Sequence, residues 1–400
     1  MVSEHPGQVG EAKGEKVKVG RREEGRRGLM KKKRTYLIMV NIIINSFLIL
    51  NGYGLSDKSH WPNQNKITEK PMRVELLLTI GSDKENEDFF DPFSFAVDSK
   101  GQIFILDTRN SRIQCFSPEG KFLFSFGKLG QGPGELSKVA KKIKILEDGN
   151  IYVIDYLPRN INVYNRNGQF LFSWKTPKGI YDDIELIDSK YYLSNVILRE
   201  DNKPIHILSK LGKNEGAIGI LIEPQNGLTQ KISKGQDVGL DEFFCRAGFS
   251  SITKNSKKEI IYSLKTPYRL IKYDTEGQVL QDTVGEVDYG SPEKFSIFYQ
   301  ENIPRIKAHF PLPIIFSPIV KADDRILVPF LNKERDFFYI DLYDQNVTHI
   351  TRYKMPNHIA VFKNKESIRQ VHIDNDNNLY CLITSDENPA QIRKYRLIFE

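Results

Sequence analysis

Cysteine is scarce in this chain of 400 residues, which contains only Cys115, Cys245 and Cys381. Their wide spacing matches no zinc motif and provides no disulfide framework. None of the three directly follows the apolar segment near the N-terminus, so a lipoprotein anchor is not supported. Cys115 and Cys381 fall within alternating apolar stretches, and we expect both to be small buried side chains.

Recognisable catalytic motifs are also missing. The seven His residues are scattered, and no pair has the spacing of a helical zinc site. No Gly-x-Ser-x-Gly nucleophile elbow occurs. The run 374–378 lacks the Gly and the distal Glu of a calcium loop and predicts a tight hairpin instead. The sequence therefore predicts no cofactor and favours a protein that is not an enzyme, although a divalent metal in a central channel is left open because its ligands would be distant in sequence.

An excess of positive charge is confined to one end of the chain. Residues 1–34 carry eleven Lys or Arg and five Glu, which leaves 47 basic and 46 acidic residues in 35–400. A folded region with so little net charge does not predict a surface that binds the phosphate backbone, and we expect no nucleic-acid partner.

The N-terminal part has the composition of a leader. Residues 1–29 are polar and charged, which predicts disorder, and they are not translated if Met30 is the true start. The basic run Lys31 to Arg34 precedes an apolar stretch at 36–50, so 30–54 predicts a signal peptide, or a membrane anchor if it is not cleaved. Residues 55–71 form a linker. The protein is then exported, to the periplasm or outside the cell, or tethered to the membrane by this segment alone.

Short apolar stretches repeat along the remaining sequence. Residues 96–126 and 145–174 match at an offset of 48, which aligns Asp107 with Asp155 and Gly120 with Gly168. Each copy alternates strand-forming runs with Gly, Asn and Asp turns, the pattern of a four-stranded β-propeller blade. Weaker copies follow at 186–208, 257–281, 323–350 and 371–397.

The sixth copy lacks its last strand, and the N-terminal stretch 73–81 resembles the outer strand of the first blade at 121–127. We therefore predict an all-β fold over 72–400: a six-bladed propeller of four-stranded antiparallel blades, in which an N-terminal strand closes the ring. Closure would remove a free sheet edge.

The segments 91–101, 107–114 and 126–134 together resemble the NHL repeat. The resemblance is specific over 81–174 and looser beyond, and the whole is similar to six-bladed propellers of secreted bacterial proteins. This resemblance implies a rigid scaffold that binds a ligand or a partner. Many proteins of this group have no assigned activity. We expect a monomer.

The predicted loops are unequal. One face has short turns, whereas the loops between second and third strands and the connections between blades lie on the other, the long-loop face. Basic residues recur in these loops, and they are our candidate ligand-binding residues: Arg109, Arg159, Lys265, Arg269, Lys333 and Arg335. An alternative role for each is a structural ion pair or hydrogen bond.

Two hypotheses of function follow. In the first, the protein is a non-catalytic binding or scaffolding propeller that recognises an extracytoplasmic glycan, peptide or protein on its long-loop face. In the second, it is a metal-dependent hydrolase, lactonase or lyase with a site in the central channel. A bound divalent ion near the axis would favour the second hypothesis.

Overall fold

The computed structural model describes residues 67–81, 88–156, 159–177, 179–195, 203–219, 250–265, 268–288, 296–300, 303–307, 313–357, 359 and 366–400. The predicted extension, signal or anchor segment and most of the linker lie outside these residues. Within the described part, no helix has the length and apolar character needed to span a membrane.

Four antiparallel sheets, each with four strands paired in sequence order, form the first four blades. The first two contain β2 (Ser94–Val97), β3 (Ile103–Asp107), β4 (Arg112–Phe116) and β5 (Phe122–Phe126), then β6 (Ala140–Ile145), β7 (Ile151–Asp155), β8 (Asn160–Tyr164) and β9 (Phe170–Lys175). The next two contain β10 (Tyr181–Ile187), β11 (Lys190–Asn195), β12 (Ile205–Leu208) and β13 (Asn214–Ile218), then β14 (Ser250–Lys254), β15 (Ile260–Lys265), β16 (Tyr268–Tyr273) and β17 (Val279–Val284). The repeats at 96–126 and 145–174 therefore correspond to blades one and two.

The last two blades share one nine-stranded sheet. Its strands are β20 (Ile314–Ile315), β21 (Ile319–Val320), β22 (Ile326–Leu331), β23 (Phe337–Tyr343), β24 (His349–Pro356), β25 (Glu366–Ile373), β26 (Asn378–Ser385), β27 (Gln391–Phe399) and β1 (Glu69–Ile80). A separate hairpin of β18 (Ser296–Gln300) and β19 (Ile303–Lys307) lies between blades four and five in sequence.

The N-terminal strand closes the ring as predicted. β1 pairs antiparallel with β27 from Met72 to Ile80 and so supplies the fourth strand of blade six. Its first residues, from Glu69 to Pro71, also pair in parallel with β24. This second pairing joins blades five and six into one sheet, so a single strand protects two outer edges.

Repeated side-chain hydrogen bonds explain the turns between third and fourth strands. In five blades the residue after the third strand accepts hydrogen bonds from the backbone N–H groups two and four residues later. These residues are Ser117, Asn165, Ser209, Asp274 and Asp344. Small polar side chains favour such turns because they satisfy backbone donors locally.

A glycine in one of these turns lets neighbouring blades pack closely. Gly168 has φ of 77°, and a Cβ atom there would lie 2.6 Å from the ring of Phe126 in the preceding blade. Any larger residue would push the blades apart and strain the backbone.

The apolar cores lie between the blades. One cluster joins Phe104 and Ile113 of blade one to Ile143 and Val153 of blade two, and others join blades two to three, three to four, five to six and six to one. Cys115 and Cys381 are buried in two of these clusters, as expected. Because the apolar side chains pack between neighbours, the axis is left for polar residues.

Candidate functional site

The inner strands bring equivalent residues of all six blades to the axis. Strand pairing aligns Ser94, Lys142 and Asp183, which face equivalent positions on β3, β7 and β11. The residues one position earlier form a first layer: Phe93, Lys141, Asp182, Ser250, Phe316 and Arg369. The residues aligned with Ser94 form a second layer: Ser94, Lys142, Asp183, Ser251, Ser317 and Gln370.

A cavity of about 70 Å³ lies between these residues. Both layers line it apart from Asp183, and Tyr156, Lys265 and Val371 complete the lining. Because the inner strands start at this end of the channel, the cavity is on the face that carries the blade connections and the loops between second and third strands. This is the long-loop face of the sequence analysis. We call this space the axial cavity.

Asp182 is the acidic group of the axial cavity. Its Oδ1 accepts a hydrogen bond of 2.9 Å from the hydroxyl of Tyr156, and its Oδ2 accepts one of 3.1 Å from the backbone N–H of Ser250. Burial raises the pKa of Asp182 to about 6, although the Lys265 ammonium group and these hydrogen bonds favour the carboxylate. The side chain can therefore change its protonation state near neutral pH.

Two cations of the first layer contact the same aromatic ring. The Lys141 Nζ lies 3.3 Å from the centroid of the Phe93 ring, and the Arg369 Cζ lies 5.1 Å from it. Arg369 also pairs with Asp91 and donates to the carbonyl of Pro92. Burial and the neighbouring Arg369 charge lower the pKa of Lys141 to about 7.

A buried ion network forms the floor of the cavity. Asp183 lies 3.6 Å from the Lys142 ammonium and 3.4 Å from that of Lys144, and Lys144 is 3.1 Å from Glu185. Burial raises the pKa of Asp183, but the two lysines and backbone hydrogen bonds outweigh it and hold that pKa below its ordinary value. Ser251 and Ser317 share a hydrogen bond of 2.7 Å across blades four and five. The floor is therefore fixed by contacts within the protein.

The six candidate residues from the sequence are not brought together in one place. Only Lys265 reaches the axial cavity, where burial lowers the pKa of its ammonium group. Arg109 pairs with Asp91 at 3.3 Å, next to the cavity. Their proposed role in binding a ligand stays a prediction.

The other four candidates lie farther out on the blades. Arg159 occupies a loop position with φ of 63°, and Arg269 forms an ion pair with Asp282 of the adjacent outer strand. Lys333 pairs with Asp288 at 2.8 Å, and Arg335, which is buried, donates to the carbonyl of Asn332.

The aspartates of the repeat have the structural role expected from their loop positions. Asp107 is buried and accepts hydrogen bonds from the backbone of Phe90 at 2.8 Å, from Asn110 at 2.8 Å and from Arg112 at 3.0 Å. It therefore holds the loop between β3 and β4 and the connection before β2. In blade two, Asp155 accepts from the backbone N–H of Ser137 at 2.7 Å instead.

The sequence analysis missed Lys141, Asp182 and Arg369, because each lies in the first half of a different inner strand, far from the others in the chain. Aligning the six inner strands would have shown charged residues at one shared position. Among the described residues, no three His, Cys, Asp or Glu side chains are grouped to hold a metal ion.

Comparisons with known proteins agree with this architecture. A family model described as a 6-bladed beta-propeller matches residues 95–223. The NHL-repeat protein brain tumor of Drosophila melanogaster is 31% identical over 134 residues, which are 31% of this chain but only 12% of that protein. This chain thus spans about an eighth of the length of that curated relative. The resemblance to NHL-type propellers is confirmed.

Solved structures show the same fold. A member of the DUF4221 family from Bacteroides vulgatus is 11% identical, with a TM-score of 0.55, over 83% of this chain and 100% of that one. Virginiamycin B lyase from Staphylococcus aureus is 13% identical, with a TM-score of 0.47, over 82% of this chain and 100% of that one. The sheets, the ring closure, the family model and the likeness to the DUF4221 member define the class: the protein is a six-bladed β-propeller.

Proposed function

We propose that the protein is a non-catalytic binding propeller that recognises an extracytoplasmic ligand on its long-loop face. The axial cavity supports this proposal, because residues from all six blades converge there and the first layer takes one residue from each blade. Rigid sheets hold these side chains in place, as expected of a binding site on a propeller.

The rim of the cavity would contact the parts of the ligand that extend beyond it. Arg109 is half exposed and shares Asp91 with Arg369, so after Lys265 it is the candidate cation next to the cavity. Arg159, Arg269 and Lys333 belong to the wider surface, where they would contact only a large glycan, peptide or protein, whereas the buried Arg335 would support that surface through the carbonyl of Asn332. This arrangement suits a ligand that is anchored at the axis and spreads outward.

Export places this face outside the cytoplasm in our proposal. The apolar stretch at 36–50 directs the chain across the membrane, and the propeller acts there as a monomer, free or tethered. N-terminal sequencing of the mature protein would test this: a start near residue 55 supports cleavage, whereas a start before residue 30 contradicts Met30 as the translation start and leaves the segment as an uncleaved anchor.

Array binding tests the proposed function. The purified protein would be applied to arrays of glycans and peptides, and each retained compound would be examined by thermal unfolding and by mass spectrometry. We expect a compound that is retained unchanged and raises the unfolding temperature in a saturable manner, because binding to the folded state alone stabilises it. Conversion of the compound, abolished by chelator, would overturn the proposal in favour of a metal-dependent hydrolase or lyase.

A further inference from the structure

The charged groups around the axial cavity favour an anionic ligand. Six cations lie in, beneath or beside it, and four carboxylates oppose them. The cations are Lys141, Lys142, Lys144, Lys265, Arg369 and Arg109, and the carboxylates are Asp91, Asp182, Asp183 and Glu185. The excess is two positive charges when all are ionised. A ligand carboxylate would offset part of it.

Asp182 adds a requirement for a hydrogen-bond donor. A carboxylate has about four acceptor positions, and Tyr156 and Ser250 fill two of them. A bare anion placed beside Asp182 would be repelled by it, whereas a ligand hydroxyl would donate to it. The ligand should therefore carry a hydroxyl close to its negative group.

Cavity size and lining point to a sugar. The volume of about 70 Å³ holds roughly five water-sized groups, enough for a carboxylate and its neighbouring C–OH groups but not for a whole chain. The side chains of Phe316 and Tyr156 add aromatic lining beside the polar groups, while the Phe93 ring is covered by Lys141 and Arg369. Such a combination of aromatic rings and fixed polar groups suits the edge of a pyranose.

We propose that the axial cavity binds the terminal sugar acid of a glycan, with its carboxylate beside Lys141 and Arg369 and a hydroxyl on Asp182. This assignment rests on the proposed binding function. It names the class of ligand that the long-loop face takes and the end of that ligand that enters the cavity.

Binding should be coupled to a proton on Lys141. Its ammonium faces Phe93 and Arg369 of the first layer, Asp91 and Arg109 at the rim, and Asp182 of the next blade. Because the pKa of Lys141 is about 7, the side chain is mostly charged at pH 6 and mostly neutral at pH 8. The carboxylate should therefore bind about tenfold more tightly at pH 6.

Calorimetry with four probes tests the assignment. The full protein would be titrated at pH 6 and pH 8 with a tetrasaccharide ending in glucuronate, the same tetrasaccharide ending in glucose, propionate, and a peptide with a free carboxyl terminus. We expect measurable binding of the glucuronate probe alone. The variant Lys141→Met should weaken it at least about tenfold at pH 6 and leave only the pH dependence that comes from Asp182, whereas the matched variant Lys138→Met, at an exposed position, should change neither the affinity nor its pH dependence.

Each other outcome overturns the assignment in a recognisable way. Equal binding of the glucose-ended probe, or preference for the peptide, excludes a sugar acid. If the arrays yield a ligand whose affinity is the same for Lys141→Met and for the unaltered protein, the binding function stands and the cavity assignment fails. If neither arrays nor calorimetry detect binding, both fail. Circular dichroism of each variant would confirm that the fold is intact.

Discussion

The loop between β3 and β4 and the first layer of the axial cavity carry similar numbers of charged side chains but use them differently. Burial raises the pKa of Asp107 as well, but three donors, the backbone N–H of Phe90 and the side chains of Asn110 and Arg112, hold its carboxylate in the loop. In the cavity, burial moves the pKa of Lys141 and of Asp182 to about 7 and about 6. Charges in the loop therefore maintain the fold, whereas we propose that those at the axis meet an external partner.

The largest expected effect comes from the loop. Asp107→Ala leaves the backbone N–H of Phe90 and the side chain of Arg112 without their acceptor, so we expect a loss of about 3 kcal/mol in the free energy of unfolding. Urea denaturation would measure it. Asp323→Ala, which removes an exposed ion pair with Arg325, serves as control and should change little. Equal losses in both variants would remove the distinction between loop and surface charges.

Lys141→Met should increase the free energy of unfolding near pH 7, whereas Asp107→Ala should lower it. The lowered pKa of Lys141 means that folding favours its neutral form, so between pH 7 and its ordinary pKa the unfolded chain binds more protons. Stability of the unaltered protein therefore rises with pH in this range by up to about 1 kcal/mol per pH unit from this group. The variant should be more stable near pH 7, and its advantage should shrink toward pH 9. Urea denaturation at pH 7, 8 and 9 checks this, and a constant difference would contradict it.

Lys265→Met tests whether the cavity is needed for binding. Burial lowers the pKa of Lys265, so losing its charge should not reduce stability. We expect affinity for any ligand of the long-loop face to fall about tenfold, because a desolvated cation is removed from the site. Calorimetry with a ligand from the arrays measures this. A stable variant with unchanged affinity would show that the ligand does not reach the axis.

The smallest effect is expected at the rim. Arg109→Ala removes a half-exposed cation that pairs with Asp91, and exposed pairs contribute up to about 1 kcal/mol. Affinity should fall two- to threefold at most, by roughly 0.5 kcal/mol. A larger loss than in Lys265→Met would reverse the comparison and make the loops the main binding surface.

Much of the fold was accessible from the sequence. The offset of 48 predicts blades one and two because their turns and strands are regular, and the match of 73–81 to an outer strand predicts the pairing of β1 with β27. The parallel pairing of Glu69 to Pro71 with β24 was not predictable, since it depends on where two blades meet and involves no repeated pattern.

The candidate site was harder to predict from the sequence than the fold, for a physical reason. Basic residues such as Arg269 and Lys333 are easily recognised in the sequence, but each forms an ion pair within the protein. Lys141, Asp182 and Arg369 each follow a blade connection and have no shared local motif. Only closure of the ring brings them together, so their common role appears in three dimensions rather than along the chain.

Ring closure also determines the order in which the blades are completed during synthesis. A ribosome makes β1 before any blade and β27 after all the others, so the partner of β1 does not exist until synthesis of the propeller is nearly finished. Blade six is consequently the last to be completed, and the axial cavity, which needs Arg369 and Gln370 from that blade, is assembled only then. The axial cavity is thus complete only in a molecule whose first strand has met its last.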